Sequence, residues 1–168
     1  MKLTAKPLAI LVFVLMFGGI LLSAALNLWN TSSTKIPAKF KDGELAGTYN
    51  PADIRGSYKF GEVSNLFGIP LEDLKVAFSI PATANPADYQ LKSLETQFAN
   101  APQEIGTDSV RYFVAFYNGL PIDLTTDTYL PLEAAQILKT KGKLTAAQLV
   151  YLEKHTVDVK TSSAATPV

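Results

Sequence analysis

Apolar positions fall into two regimes along this chain. From Leu8 to Trp29, "LAILVFVLMFGGILLSAALNLW", they run on without a charge. As a helix that stretch extends about 33 Å at about 1.5 Å per residue, enough to cross a hydrocarbon core. It predicts a single transmembrane helix, with Leu8, Phe13, Phe17 and Leu22 as anchor residues and Trp29 where an interfacial aromatic belongs. A cleaved signal peptide competes with this anchor. Ser23, Ala24 and Ala25 offer a small-residue cleavage site, although the apolar run exceeds a usual signal core and continues past that site. Either way the following domain is exported.

The second regime is short stripes separated by Pro and Gly. Residues 30–50, "NTSSTKIPAKFKDGELAGTYN", keep no period and read as a linker with some surface contact. Then Phe60, Val63, Leu66 and Phe67 make a helical stripe that Gly68 ends. Pro70 opens a second helix with Leu71, Leu74, Ala77 and Phe78 inward. Asn85 and Pro86 predict a third helix reaching about Phe98, carrying Tyr89, Leu91 and Leu94. Thr107 or Asp108 caps a fourth, "SVRYFVAFYNG", which ends at Gly119. Its aromatic and β-branched content also suits a buried strand, but the cap and terminal Gly favour a helix at the domain's centre. Pro131 opens a fifth through Leu138, and Thr145 with Gln148 forms a capping box for the last, Ala146 to His155.

The expectation is therefore an all-α chain: residues 1–29 a basic tail and anchor, 30–50 a linker, 51–158 a domain of five or six short helices, 159–168 a disordered tail.

Charge orients this arrangement. Lys2 and Lys6 precede the apolar run, which favours an amino terminus inside and an extracytoplasmic domain at the cell membrane; Lys35, Lys39 and Lys41 on the other flank are partly offset by Asp42 and Glu44. The whole chain has 15 basic and 15 acidic residues, yet residues 46–158 hold nine against thirteen, a formal −4. An acidic domain attracts phosphates poorly. With no cysteine, the chain itself supplies no disulfide, thiolate or iron–sulfur ligand.

Little enzyme chemistry presents itself. His155 is the single histidine and falls near a helix end, where it reads as a surface cap rather than a catalyst. Glu72 and Asp73, in a first helical turn, complement the helix dipole. Asp123, Asp127 and Glu133 are spaced too loosely for a calcium loop. Tyr112, Phe113, Phe116 and Tyr117 suit either a cofactor groove or a core with hydroxyls at its rim, and helical spacing favours the core. No catalytic, metal or cofactor-binding residue is expected. Residues 53–78 have the outline of a helix-turn-helix, but the would-be recognition helix, Leu71 to Phe78, offers Glu72, Asp73 and Lys75 where base readers would stand. Nucleic acid is not an expected partner.

The words "YNPADIRGSYKFGEVSNLFGIPLEDLKVAF" and "EIGTDSVRYFVAFYNGLPIDL", the latter followed by "LPLEAAQIL", span most of residues 49–138. They resemble a small helical domain of anaerobic bacteria associated with membrane-bound, polyferredoxin-type iron–sulfur proteins. The resemblance implies a respiratory or redox-complex neighbourhood; with no cysteine to hold a cluster here, no cofactor is expected in this chain, and the expected partners are the lipid bilayer and a membrane protein such as an iron–sulfur or other redox subunit. The expected function is a non-enzymatic accessory, assembly or docking subunit. A membrane-tethered small-molecule binder or sensor is the alternative, and a tethered DNA-binding regulator a weaker one. Candidate partner contacts are Arg55, Gly56, Ser57 and Tyr58 in the most distinctive word, and Arg111, Tyr112, Tyr117 and Asn118 on the fourth helix. A tight turn at Gly56 and Ser57 explains the first set structurally as well.

Overall fold

A computed structural model describes residues 12–14, 17–18 and 36–159. The chain divides into two units, residues 1–35 and 36–168. In the first, residues 12–14 and 17–18 are helical, and Phe13 and Phe17 stack one turn apart at 4.2 Å. Most of the expected Leu8–Trp29 span, including Leu8, Leu22 and Trp29, lies outside the described residues, as does the expected tail from residue 160. Among the described residues no helix is long and apolar enough to cross a membrane.

The second unit is mostly helical. Its α-helices are α1 (Phe60–Phe67), α2 (Leu71–Ala77), α3 (Ser93–Gln97), α4 (Thr107–Asn118), α5 (Leu132–Lys141) and α6 (Ala146–Lys154), with 3-10 turns at Pro51–Asp53 and Pro86–Asp88. Two strands, β1 (Leu130–Pro131) and β2 (Thr156–Val157), pair in parallel with Leu130 opposite Thr156.

The helices stop where backbone chemistry stops them. Gly68 ends α1 and Gly119 ends α4 in the left-handed region, at φ 65° and 70°, where a Cβ is penalised. The Thr145–Gln148 capping box opens α6 as expected, its side chains and backbones bonded reciprocally at 3.2 and 2.9 Å. At α4 the cap differs. Neither Thr107 nor Asp108 caps it; the helix starts after Gly106, whose N–H donates to Ser109 Oγ at 3.2 Å, and that hydroxyl donates onward to Tyr129 O at 2.7 Å.

The expected third helix is the main correction. Asn85 does accept from Ala87 N–H and Pro86 follows, but the helical turn ends at Asp88 and Tyr89 is extended. The cause is non-local: Phe60 N–H donates to Tyr89 O and Leu91 N–H to Tyr58 O, at 3.0 and 2.9 Å, so this stretch pairs beside Lys59 before coiling again as the short α3. The expected linker of residues 30–50 is also folded over its second half. Lys39 and Tyr49 form an antiparallel bridge, Ala38 N–H donates to Asp53 Oδ2 at 2.7 Å, and Phe40, Leu45 and Tyr49 pack on the core.

The core gathers around α4, as its apolar wrap suggested. Val110, Tyr112, Phe113, Val114, Ala115 and Phe116 are all buried. Phe113 meets Phe78 edge-on at 5.6 Å, and Phe78 meets Phe60 at 5.6 Å, so rings from the first, second and fourth helical patterns form one chain. α5, β1 and the Pro51–Asp53 turn pack on α4, while α2 packs on α5 and α1 on the Pro86–Asp88 turn.

Candidate functional site

The eight contact candidates fall at three places along α4, whose twelve residues extend about 18 Å at about 1.5 Å per residue.

At its amino-terminal end lies the Ile54–Tyr58 turn. Tyr58 N–H donates to Arg55 O at 2.9 Å, and Lys92 N–H donates to Gly56 O at 3.0 Å. A Cβ on Gly56 would stand 3.0 Å from Thr107 Oγ1 and 3.2 Å from Lys92 Cβ, so the backbone here approaches α4 as closely as glycine permits. Arg111 fastens the turn: its Nε donates to Ile54 O at 2.7 Å while Nη1 engages the Asp108 carboxylate. The two distinctive sequence words thus meet physically, through an α4 side chain on a backbone carbonyl 57 residues away. Arg55 is left facing outward, its side chain 71% exposed and 3.6 Å from Asp53. Ser57, Lys92 and Asp108 are exposed around it. Tyr58 is not a surface residue; it is buried, and burial with the nearby Asp53 charge pushes its phenol up.

At the middle of α4, Tyr112 is likewise internal, which corrects its assignment to a contact surface. Its hydroxyl donates to Asp123 O and lies 2.6 Å from Thr126 Oγ1, while its ring stacks on Tyr151 at 5.3 Å. Tyr151 in turn bonds Thr128 N–H at 2.8 Å, and burial pushes its phenol up to about 12.

At the carboxyl-terminal end, Tyr117 OH donates to Asp73 Oδ2 at 2.8 Å and Asn118 Nδ2 to Phe67 O at 3.1 Å. Lys141 Nζ reaches the other Asp73 oxygen at 2.6 Å, so one buried carboxylate joins α2, α4 and α5. Burial, then the bond to Asp73, pushes the Tyr117 phenol up to about 12. This cluster was missed: Asp73 reads as a dipole complement in the first turn of α2, although its spacing of four to the buried Ala77 was a signal that it faces inward. Beside Asn118, Tyr49, Leu66, Phe67 and Leu120 line an apolar crevice of about 300 Å³.

A second, polar cavity of about 130 Å³ opens near the Ile54–Tyr58 turn, walled by Glu95, Glu104, Gly106, Asp108, Asp127 and Thr128. Asp123 points elsewhere; its carboxylate accepts from the N–H and hydroxyl of Thr125, at 2.9 and 2.8 Å, and these bonds hold it below the usual carboxylate range. Among the described residues no group of three or more acidic or histidine side chains is placed to hold a metal ion.

The helix-turn-helix outline resolves into α1 and α2 joined at Gly68–Pro70. The outward side of α2 carries Glu72, Val76 and Lys75, the lysine bonded back to Glu72 at 3.1 Å.

Comparison of the chain with protein-family models, with curated proteins and with solved structures gives no match.

Proposed function

We propose that this chain is a non-enzymatic, membrane-anchored accessory, assembly or docking subunit whose folded unit recognises a protein partner of a membrane complex. The observation that carries the reading is the Ile54–Tyr58 turn: a surface loop pinned by Arg111 and Lys92, yet presenting Arg55 to solvent. A pre-ordered loop with one projecting Arg loses little entropy on binding and matches the chemistry of interface anchors. The charge-free Leu8–Trp29 segment supports an anchor at the cell membrane, with the folded unit outside, and an anchor raises the local concentration of that unit at its partner. The resemblance to domains that accompany polyferredoxin-type proteins supports a redox subunit as partner, with the cofactor held there.

Affinity capture of the full-length chain from gently solubilised membranes tests this. The expected result is a stoichiometric membrane partner that is lost on Arg55→Glu, since the reversal spares the turn's backbone bonds. Recovery of the chain alone and monodisperse overturns the reading.

The small-molecule alternative keeps one supporting observation, the apolar crevice at Tyr49 and Asn118, and a ligand-dependent rise in melting temperature without a partner would favour it. DNA recognition fares worst: the outward side of α2 is neither basic nor rich in amide side chains.

A further inference from the structure

The outward side of α6 plays no part in the contact proposed at the Ile54–Tyr58 turn. Gln148, Tyr151 and Leu152 are buried, and the helical period that buries them turns Ala146, Leu149, Val150 and Glu153 to water along one stripe. Leu149 is 40% and Val150 52% exposed, so two large aliphatic side chains stand side by side at the surface. Lys154 follows Val150 one turn later on the same side.

Charge singles out the same region. Residues 139–154, from the last turn of α5 to the end of α6, carry four lysines against one glutamate, while the rest of residues 46–158 carries five basic groups against twelve acidic ones. All four lysines are exposed. Lys141 is engaged with Asp73, whereas Lys139, Lys143 and Lys154 have no ion pair among the described residues. A basic stretch that also exposes aliphatic side chains, on a unit that is otherwise acidic, complements an anionic bilayer surface. Chain length favours lipid over a diffusing acidic protein as the occupant. Six residues separate Trp29 from Ile36, and the seven steps between them reach about 24 Å at most when fully extended. A bilayer that holds the Leu8–Trp29 segment is thus always near the start of the folded unit, at an effective concentration that compensates for a weak contact.

The geometry points to α6 as a shallow membrane contact: Leu149 and Val150 enter the headgroup region of an anionic bilayer while Lys139, Lys143 and Lys154 meet its phosphates. This rests on the membrane anchor of the proposed function and adds to it a lipid-binding surface on the folded unit. Glu153 limits the depth. It lies between Leu149 and Val150 around the helix, and its carboxylate resists both loss of water and the approach of anionic headgroups.

The test exploits a chain without cysteine, in which Val150→Cys, and separately Val76→Cys on the outward side of α2, each give one site for a nitroxide label. The full-length chain is placed in lipid nanodiscs of phosphatidylcholine alone or of phosphatidylcholine with phosphatidylglycerol. Exposure of the label to oxygen, which partitions into lipid, is compared with exposure to a water-soluble nickel chelate. In the anionic discs the label at position 150 should lose about half of its nickel exposure and gain oxygen exposure, and the label at position 76 should change in neither disc. High salt, or Lys143→Gln together with Lys154→Gln, should weaken the effect, and Glu153→Gln should strengthen it. A chain that incorporates into the discs but keeps position 150 as open to nickel as position 76 overturns the surface and leaves the anchor standing. A label that becomes protected with rising protein density and without oxygen gain shows a second copy on this face, which overturns lipid as its occupant. A chain that incorporates into neither disc refutes the anchor and the surface that rests on it.

Discussion

At the scale of single residues, Asp73 is the polar group with most at stake. It is 8% exposed and accepts from both a phenol and an ammonium. Asp73→Ala strands the Tyr117 hydroxyl and removes the partner of Lys141; because that lysine is half in solvent, the loss is set mainly by the phenol and amounts to about 2 kcal/mol. Tyr117→Phe should cost about 1 kcal/mol, since Asp73 keeps Lys141. Urea midpoints at unchanged slope measure both. Tyr117, together with Tyr151 beside the middle of α4, predicts an alkaline limit. Tyr117 and Tyr151 are both raised to about 12, so each favours the folded state while its phenol is neutral. That contribution is complete below about pH 10, the value of a free phenol, and is lost as pH climbs toward 12. Stability should therefore fall across that window, and less steeply in Tyr117→Phe. A flat profile would mean that these phenols gain nothing from their sites.

At the scale of elements, two left-handed glycines allow a like-for-like comparison. Gly68 and Gly119 share nearly the same φ, 65° and 70°, but an added Cβ meets open space at Gly68 and lies 3.0 Å from Lys143 Cβ and 3.2 Å from Lys143 O at Gly119. Gly68→Ala should cost about 1 kcal/mol for the backbone alone. Gly119→Ala should cost about 1 to 2 kcal/mol more, because the chain entering α6 must also move. Equal melting temperatures for the two variants would exclude that added contact. These same glycines explain why so much of the element order was legible. Start and stop signals for α1, α2, α4, α5 and α6 are local: a glycine, a proline or a capping box within a few residues of the helix end. What failed was whatever a distant segment decides. Tyr89 is extended because its carbonyl accepts from Phe60 N–H while Leu91 N–H donates to Tyr58 O, and nothing in residues 85–98 reports that. β1 and β2 are two residues each, one of them a proline, below any length a periodic pattern can register. The candidate site followed the same rule. Arg111 joins the two distinctive words through Ile54 O, a contact 57 residues long that no local signal announces, and Tyr58 and Tyr112 are buried, a depth that a polar hydroxyl in the sequence does not report.

For the folded unit as a whole, burial is arranged in a gradient that hydrogen exchange can read. α4 lies under α5, β1 and the Pro51–Asp53 turn, with most of its middle residues buried, so its amides open only when the unit unfolds globally. Residues 36–50 are secured differently. They hold by the Lys39–Tyr49 bridge, the bond from Ala38 to Asp53, a lysine over the Tyr49 ring at 4.9 Å, and partly buried Phe40, Leu45 and Tyr49. Those groups are exposed or only half-buried, and the segment encloses one side of the Tyr49 crevice. The amides of Phe40, Gly47 and Asn50 should thus exchange by local opening, well before those of Val110 to Phe116, while Tyr58 and Leu91, bonded within the pinned turn, fall between. Asp53→Ala, which removes the acceptor for Ala38 N–H, should speed exchange in residues 38–50 and leave α4 unchanged. If residues 36–50 and α4 instead exchange together, the segment is an integral part of the cooperative core, and the crevice it borders is a fixed feature of the fold rather than one that opens by fluctuation.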